Sequence, residues 1–251
     1  MVNVQPQLTI HWRGHIPLEH VSWERHTGRE VVLKPELEAK RNRVWKKTVR
    51  QHPGVYDGLL LVLERLQASS TGVHLDLNTI RFSRVVTLDS LGLGLVGYGC
   101  LGCQMIILTP DRQSILIGER ARVSIHCPLF LSVPGGMLES GDAEGSVEKA
   151  CMRELNEEAL VDVGPEKHLL AIVGELHGKL GAIMLVEMVA QETPIPGALV
   201  SGNEEWTSSQ LRWYSVDELD RLDLSRTLEG VAFVAEEWRI HHESRRSVIW
   251  P

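Results

Sequence analysis

The sequence lacks the features that would place the chain in a membrane or a secretory pathway. No apolar run reaches the roughly 18–20 residues that a bilayer-spanning helix needs. The first residues, MVNVQPQLTIHWRGH, do not show the basic-then-apolar layout of a signal peptide. Cysteine is scarce, with 4 in 251 residues, which is too few for a disulfide framework. We therefore expect a reduced, cytoplasmic protein with no membrane partner.

An excess of basic residues is also missing. The 26 lysines and arginines are outnumbered by 33 acidic residues, and the formal net charge is −7. This balance argues against a surface built to hold nucleic acid. A small anionic substrate is still compatible, because a bound divalent metal can reverse the charge of a site locally. The hydrophobic content of 43% is that of a globular protein with a substantial core.

The hydrophobic pattern divides the chain into a smaller N-terminal region, residues 1–85, and a larger domain, residues 86–251. The N-terminal region is predicted to be α+β, because extended segments flank one charged stretch with helical periodicity. Its predicted elements are strands around Leu8–Trp12 and Val21–Trp23, a helix over Pro35–Gln51, and strands at Leu59–Leu63 and His74–Leu77.

The larger domain alternates short strands with one strong helix, which predicts an α/β fold. The predicted strands are Met105–Leu108, Ser114–Gly118, His168–Glu175, Ala182–Val189 and Gln210–Ser215. The predicted helices are Ser146–Val161, Val216–Leu222 and Arg226–Ser244.

The helix predicted over Ser146–Val161 carries the residues that indicate a metal-binding or catalytic function. Glu154, Glu157 and Glu158 stand at i, i+3 and i+4, so a helix places them on one face. A cation between them would turn their mutual repulsion into ligation, and hard ions such as Mg²⁺ prefer carboxylate oxygens and substrate phosphates. The preceding Gly135-Gly136 turn lets the backbone approach the same ion. A solvated acidic helix is the alternative explanation, but the glycine pair and Arg153 favour a metal site.

The run Pro134-Gly135-Gly136 through Asp142, followed by Arg153-Glu154-Leu155-Asn156-Glu157-Glu158, resembles the Nudix box, a loop–helix–loop metal site. The resemblance implies an α/β/α sandwich around a mixed sheet and hydrolysis of a phosphoanhydride with Mg²⁺ or Mn²⁺. It also implies metal ligation by the Gly136 carbonyl and by Glu154, Glu157 and Glu158, with Arg153 orienting a helix carboxylate.

Three departures from the box pattern concern the loop and the end of the helix. The loop acid is Asp142 where the pattern has glutamate, and ten residues separate it from Arg153 where the pattern has seven. Leu160 replaces the glycine that usually closes the helix. None of these departures removes a metal ligand, but together they make the box a poor guide to the substrate.

Further candidates lie outside the box. Nudix enzymes often take a catalytic base from a loop before a late strand, and Glu204 and Glu205 occupy that place, although exposed loop acids are an equally good explanation. Arg120 and Arg122 follow a predicted core strand and suit bidentate phosphate contacts, with Gly135 as a further substrate-binding residue.

The layout of the whole chain resembles a Nudix group that hydrolyses UDP-glucose and UDP-galactose to UMP and a sugar 1-phosphate. The shared features include the helix with Trp45, the His52-Pro53-x-x-Tyr56-Asp57-Gly58 segment, Arg81 and Leu91-Gly92-Leu93. We therefore expect a nucleotide substrate, with a homodimer left open. The alternatives are an ADP-ribose or ADP-sugar pyrophosphatase, and a Nudix module that binds ligand without catalysis.

Three other motifs are better explained by structural roles than by cofactor, zinc or phosphate binding. Gly92-x-Gly94-x-x-Gly97 matches a dinucleotide fingerprint, but Tyr98–Leu108 is strand-like where that fingerprint must open a helix. Cys100-x-x-Cys103 has no second cysteine pair at zinc-site spacing. The basic residues of the first predicted helix are more typical of a solvated face than of a phosphate site.

Overall fold

The computed structural model describes residues 8–95, 97–122, 127–159, 161–174, 181–192, 199–201 and 206–244. The strands are β1 (Ile10–Pro17), β2 (Val21–Glu30), β3 (Leu59–Ala68), β4 (Val73–Arg81), β5 (Gly99–Leu108), β6 (Ser114–Arg120), β7 (Leu131–Ser132), β8 (Gly135–Met137), β9 (Val163–Gly174), β10 (Gly181–Ala190), β11 (Leu199–Ser201) and β12 (Trp206–Ser215). The helices are α1 (Pro35–Gln51), α2 (Phe82–Ser90), α3 (Val147–Glu158), α4 (Val216–Leu219) and α5 (Glu229–Ser244).

The strands form a single mixed sheet with the main order β1-β9-β10-β5-β3-β4-β2, and the remaining strands branch from β5 and β6. The β10–β5 and β2–β4 pairs are parallel, whereas the other neighbours along this order are antiparallel. The two ends of the order, β1 and β2, are joined by a 3-10 turn of only three residues, Leu18–His20. The sheet must therefore curl until its two ends are neighbours.

Strand β5 lies at the centre and is buried along its whole length. Its residues Cys103 and Met105 share a core cluster with Cys151 and Leu155 of α3. Ile106 on the opposite face belongs to a second cluster, which contains α5 residues such as Val231. Helices therefore cover both faces of the sheet at this strand, and the predicted α/β fold with a mixed sheet is confirmed. Among the described residues, no helix combines the length and apolarity needed to cross a membrane.

Helix α1 has the bounds that the sequence predicts. Pro35 stands at its first position, where a missing amide hydrogen costs nothing, and Glu36 and Glu38 lie in the first turn, where the helix dipole favours acids. The helix ends before His52, as expected from the following Pro53-Gly54. Its basic residues are largely exposed to solvent.

Three predicted helices are corrected at their ends. The helix predicted over Ser146–Val161 begins at Val147, because Ser146 is its N-cap and accepts a hydrogen bond from the Lys149 amide at 3.2 Å. It ends at Glu158, because Ala159 is extended and buried in the core. The short helix α4 ends at Leu219 rather than Leu222, and the last helix begins at Glu229 after a separate 3-10 turn, Leu224–Arg226.

Helix α2 was not predicted from the sequence. Its first turn is capped by a residue that is distant in sequence: Asp57 accepts hydrogen bonds from the Ser83 amide at 2.8 Å and from the Ser83 hydroxyl at 2.9 Å. A cap supplied by a residue 26 positions away leaves no local capping signal.

Strands of the N-terminal region share the sheet with strands of the larger domain. Strand β1 pairs with β9, and β3 pairs with β5 at Val62 and Leu63. The predicted boundary between residues 85 and 86 falls inside α2. The division into two domains stays a prediction.

Candidate active site

Helix α3 presents its glutamates at different depths. Glu154 and Glu158 are 6% and 5% exposed, whereas the Glu157 side chain is 57% exposed. The neighbouring Cys151 and Leu155 are fully buried in the core and fix the rotation of the helix. The helix therefore has two carboxylates held at the core boundary and one open to solvent.

The Gly135-Gly136 pair brings strand β8 directly against this helix. Gly135 pairs with Gln104 of β5, and Gly136 pairs with Cys103. Gly135 has a φ of +155°, and a Cβ there would lie 2.1 Å from the Cys103 carbonyl oxygen. A Cβ on Gly136 would lie 2.2 Å from Oε2 of Glu154. Gly135 therefore requires glycine for close strand packing, whereas a side chain at Gly136 would displace the Glu154 carboxylate.

Arg153 connects the carboxylates of the site. It donates to both Asp142 carboxylate oxygens, at 2.9 and 2.7 Å, to Oε1 of Glu154 at 2.5 Å and to Oε2 of Glu157 at 2.9 Å. Three carboxylates thus share this guanidinium, which leaves the group negatively charged when all three are ionised. The Asp142 side chain, only 8% exposed, also accepts a hydrogen bond from the Glu139 amide at 2.8 Å.

Burial is the largest cause of the pKa shifts of the two glutamates Glu154 and Glu139. Desolvation raises the pKa of Glu154 to about 7, despite the opposing effect of Arg153. Desolvation also raises the pKa of Glu139. The hydrogen bonds to Asp142 are the largest cause of the raised pKa of Arg153, and Arg153 therefore stays charged. A buried carboxylate that resists ionisation is one that an added cation would stabilise.

The structure does not draw the three α3 glutamates into one compact ligand set, because Arg153 pulls Glu154 and Glu157 toward itself. In the described part of the chain, two other groups have ligating atoms within 4.8 Å of one another: His15, His168 and Glu187, and Glu24, His74 and Asp76. In each of these groups an arginine already pairs with the buried carboxylate, Arg112 with Glu187 at 2.9 Å and Arg65 with Asp76 at 2.5 Å. Neither group shares a residue with the box.

The loop between β8 and α3 rests on the N-terminal region, a contact that sequence reasoning missed. We call residues Glu139–Gly145 the box loop. The Ser140 amide donates to the Leu59 carbonyl at 2.8 Å. The Arg25 guanidinium donates to the Ser140 carbonyl at 3.0 Å, and the Trp23 indole donates to the Gly145 carbonyl at 2.9 Å. The two side-chain contacts span 115 and 122 residues of sequence, so no local pattern could reveal them.

The other predicted site residues are placed as follows. Arg120 lies at the end of β6, where its amide donates to the Phe130 carbonyl at 2.9 Å, and Arg122 is exposed in the following loop. Glu204 and Glu205 lie outside the described residues. The assignments of Arg120, Arg122 and Gly135 to substrate, and of Glu204 or Glu205 to catalysis, stay predictions.

The cysteine pair of β5 and the glycine motif that precedes this strand both have structural positions. Cys100 and Cys103 are both 1% exposed but belong to different core clusters, so they do not point toward one ion. A hydrogen bond with Cys151, followed by burial, raises the pKa of Cys103. Gly97 has a φ of +87° and leads into β5, so the residues after these glycines form a strand, as their sequence predicts, and not the helix that a dinucleotide fingerprint needs.

A second polar contact missed by sequence reasoning lies on the α5 face of β5. Gln104 donates to Glu229 at 2.8 Å and accepts a hydrogen bond from the Gly230 amide at 2.6 Å. Gln104 and Glu229 are 7% and 2% exposed. Since Gln104 pairs with Gly135, this network ties the start of α5 to the strand beside the box.

These residues fit a divalent cation. A negatively charged group of carboxylates, a buried glutamate with a raised pKa, and a glycine backbone pressed against it supply the hard oxygen donors that Mg²⁺ and Mn²⁺ select. An acidic helix face beside a glycine strand is the kind of site in which a divalent ion can act on a phosphoanhydride.

Comparison with known families makes the assignment specific. A family model described as the NUDIX domain matches residues 103–232, just over half of the 251-residue chain. The chain therefore belongs to the Nudix family. It is a Nudix pyrophosphohydrolase acting on nucleoside diphosphate derivatives, and hydrolases of this family generally use divalent ions such as Mg²⁺ or Mn²⁺.

Solved structures similar to the chain carry Nudix names. The MutT protein from Methanosarcina mazei Go1 is 14% identical, with a TM-score of 0.42, covering 61% of this chain and 100% of that one. The NUDIX domain of Shewanella oneidensis NrtR, solved with ADP ribose, is 17% identical, with a TM-score of 0.41 and coverage of 57% and 88%. A C. elegans Ap4A hydrolase is 14% identical, with a TM-score of 0.35 and coverage of 59% and 98%. No curated protein matches the chain. Likenesses this distant say nothing about substrate.

Proposed function

We propose that this enzyme hydrolyses UDP-sugars, UDP-glucose or UDP-galactose, to UMP and a sugar 1-phosphate, at a Mg²⁺ or Mn²⁺ site formed by Gly136, Glu154, Glu157 and Glu158. The observation that carries the site is the Glu154 carboxylate, which lies against the Gly136 backbone while Arg153 holds it from the other side. The sugar nucleotide is supported by the resemblance of the whole-chain layout to the UDP-glucose and UDP-galactose group.

The chain's own residues prepare the site before substrate arrives. Arg153, fixed by Asp142, holds Glu154 and Glu157 near one another, and a bound divalent ion would have to draw these carboxylates away from the guanidinium. The exposed Glu157 lies on the open side of the group, where a diphosphate can approach. When bound, the divalent ion would neutralise the diphosphate and lower the pKa of a bound water.

The reaction adds water across one phosphoanhydride. The water oxygen forms a new bond to one phosphorus, the bond from that phosphorus to the bridging oxygen breaks, and the proton of water passes to a base or to solvent. Glu204 or Glu205 is the proposed base, and Arg120, Arg122 and the Gly135 backbone are the proposed contacts of the phosphates.

The site assignment is tested by Glu158→Gln, which keeps the shape of the side chain and removes its charge. We expect kcat to fall at least about a hundredfold while the fold survives, as for loss of a metal-activated water. Glu148→Gln on the same helix is the matched control, because Glu148 pairs with Lys167 at 2.9 Å rather than with the box residues. Near-normal turnover of Glu158→Gln in Mg²⁺ would remove the assignment.

Substrate choice is tested separately, by comparing kcat/KM for UDP-glucose and ADP-ribose under identical Mg²⁺. A pocket that hydrogen-bonds one base rejects another by orders of magnitude, because mismatch leaves buried polar groups unpaired. We expect UDP-glucose to be cleaved well ahead of ADP-ribose, with UMP and glucose 1-phosphate as products. If ADP-ribose is preferred tenfold or more, the UDP-sugar proposal is wrong and the Nudix assignment stands alone.

A further inference from the structure

Two side chains of strand β2 reach the box loop from outside the Nudix-matched residues. We propose that Trp23 and Arg25 are positioning residues of the metal site, which hold the two ends of the box loop so that Asp142 stays on Arg153. The inference rests on the proposed function of the α3 carboxylates.

The pattern of β2 directs these two side chains to the same side. Trp23 and Arg25 are half-buried, whereas Ser22 and Glu24 between and beside them are exposed, as expected for alternate residues of a strand. Residues two apart on a strand are separated by about 7 Å. The indole and the guanidinium therefore reach two separate points on the loop, the Gly145 and Ser140 carbonyls.

Asp142 lies between these two anchored points. The Gly145 amide donates to the Asp142 carbonyl at 3.0 Å, and the Glu139 amide donates to its carboxylate at 2.8 Å. Gly141, just before Asp142, has open space around the position of a Cβ. Ala143, the next residue, packs against the core, so the middle of the loop is held at this side chain while the two anchored ends restrict where the Asp142 carboxylate lies.

The position of Asp142 matters because it shares Arg153 with two proposed metal ligands. If Asp142 moves away, the guanidinium is left to Glu154 and Glu157, where it competes with the divalent cation. The loop is three residues longer than the loop of the box pattern, which adds a small entropic cost to holding Asp142 in place. Loss of an anchor should therefore raise the Mg²⁺ requirement and leave KM for substrate at saturating Mg²⁺ unchanged.

The experiment removes each donor with little change of shape, in the full chain. Trp23→Phe keeps an aromatic ring without the indole N–H, and Arg25→Met keeps the length of the side chain without the guanidinium. Arg25→Lys retains a donor. Arg65→Met is the matched control, since Arg65 pairs with Asp76 in the same part of the sheet and has no contact with the loop among the described interactions. The readouts are the Mg²⁺ concentration for half-maximal activity, KM, thermal stability, and hydrogen exchange of the box loop.

We expect Trp23→Phe and Arg25→Met each to raise the half-maximal Mg²⁺ concentration about threefold to tenfold, the effect of one net hydrogen bond. Exchange of the box loop should accelerate in both, Arg25→Lys should restore part of the loss, and Arg65→Met should change stability alone. If both variants match Arg65→Met in Mg²⁺ dependence and loop exchange, the inference is overturned. Absence of Mg²⁺-dependent hydrolysis in the unmodified enzyme would instead refute the proposed function, and loop exchange with calorimetric Mg²⁺ binding would then decide the inference.

Discussion

A side chain at Gly136 would enter the space that the Glu154 carboxylate occupies, so this position tests the geometry of the site. Gly136→Ala would place a Cβ 2.2 Å from Oε2 of Glu154 and 2.9 Å from its Cδ. Ordinary contact needs at least about 3.3 Å, so the carboxylate must retreat by about 1 Å. The Glu154 side chain is 8% exposed and bonded to Arg153, which leaves it little room to move. Gly136 carries no left-handed φ, so the substitution adds no backbone strain.

We expect Gly136→Ala to lower kcat/KM by about a hundredfold, the usual effect of a misplacement near 1 Å. The overpacking should cost about 1–3 kcal/mol of unfolding free energy. The assays are turnover of a nucleotide sugar across a Mg²⁺ titration and urea unfolding.

Gly141→Ala in the box loop is the matched control for this prediction. Its φ of −66° suits alanine, and open space surrounds a Cβ at that position, so activity should be unchanged and stability equal or slightly higher. If Gly136→Ala keeps the activity and Mg²⁺ dependence of the unmodified enzyme, Glu154 does not act from the position described.

The remaining predictions concern residues away from the box. Replacing both Cys100 and Cys103 by alanine should leave Mg²⁺-dependent activity and metal content unchanged and cause a modest loss of stability. Stoichiometric zinc in the unmodified protein that is absent from the double variant would contradict a purely structural role. The hydrogen bond from Arg65 lowers the pKa of Asp76, although burial opposes this shift. The ionised Asp76 therefore stabilises the folded state at pH values above the pKa that Asp76 has in the unfolded chain. This stabilisation is lost as the pH falls through the lower pKa that Asp76 has in the folded state. Urea unfolding of Asp76→Asn should therefore show a deficit at neutral pH that shrinks below about pH 4, and a deficit independent of pH would refute the electrostatic explanation.

Local patterns were sufficient for elements whose signals lie in their own sequence. Helix α1 carries its proline start, its apolar spacing and its stop within Pro35–Gly54. The turn between β5 and β6 contains Thr109-Pro110-Asp111-Arg112, residue types typical of turns, and Asp111 accepts hydrogen bonds from Thr109 and Gln113. The spacing of the α3 acids likewise indicated a common helix.

Distant partners set the features that could not be predicted. Helix α2 needs Asp57 as its cap, and the end of α3 depends on the burial of Ala159. The depth difference between Glu154 and Glu157 arises from packing against β5 and β8, which periodicity does not encode. The contacts of Trp23 and Arg25 depend on the curl of the sheet, and that property emerges only when all the strands are paired.

The three-residue link between β1 and β2 imposes an order on folding during synthesis. Strand β2 has its partner β4 within about 50 residues, but β1 must wait for β9, whose residue Leu169 pairs with Ile16. On a ribosome, β1 therefore emerges early and stays unpaired until most of the chain has been made. The exposed side chains of Arg13 and His15 make the unpaired strand β1 polar, which disfavours its pairing with a strand of another chain.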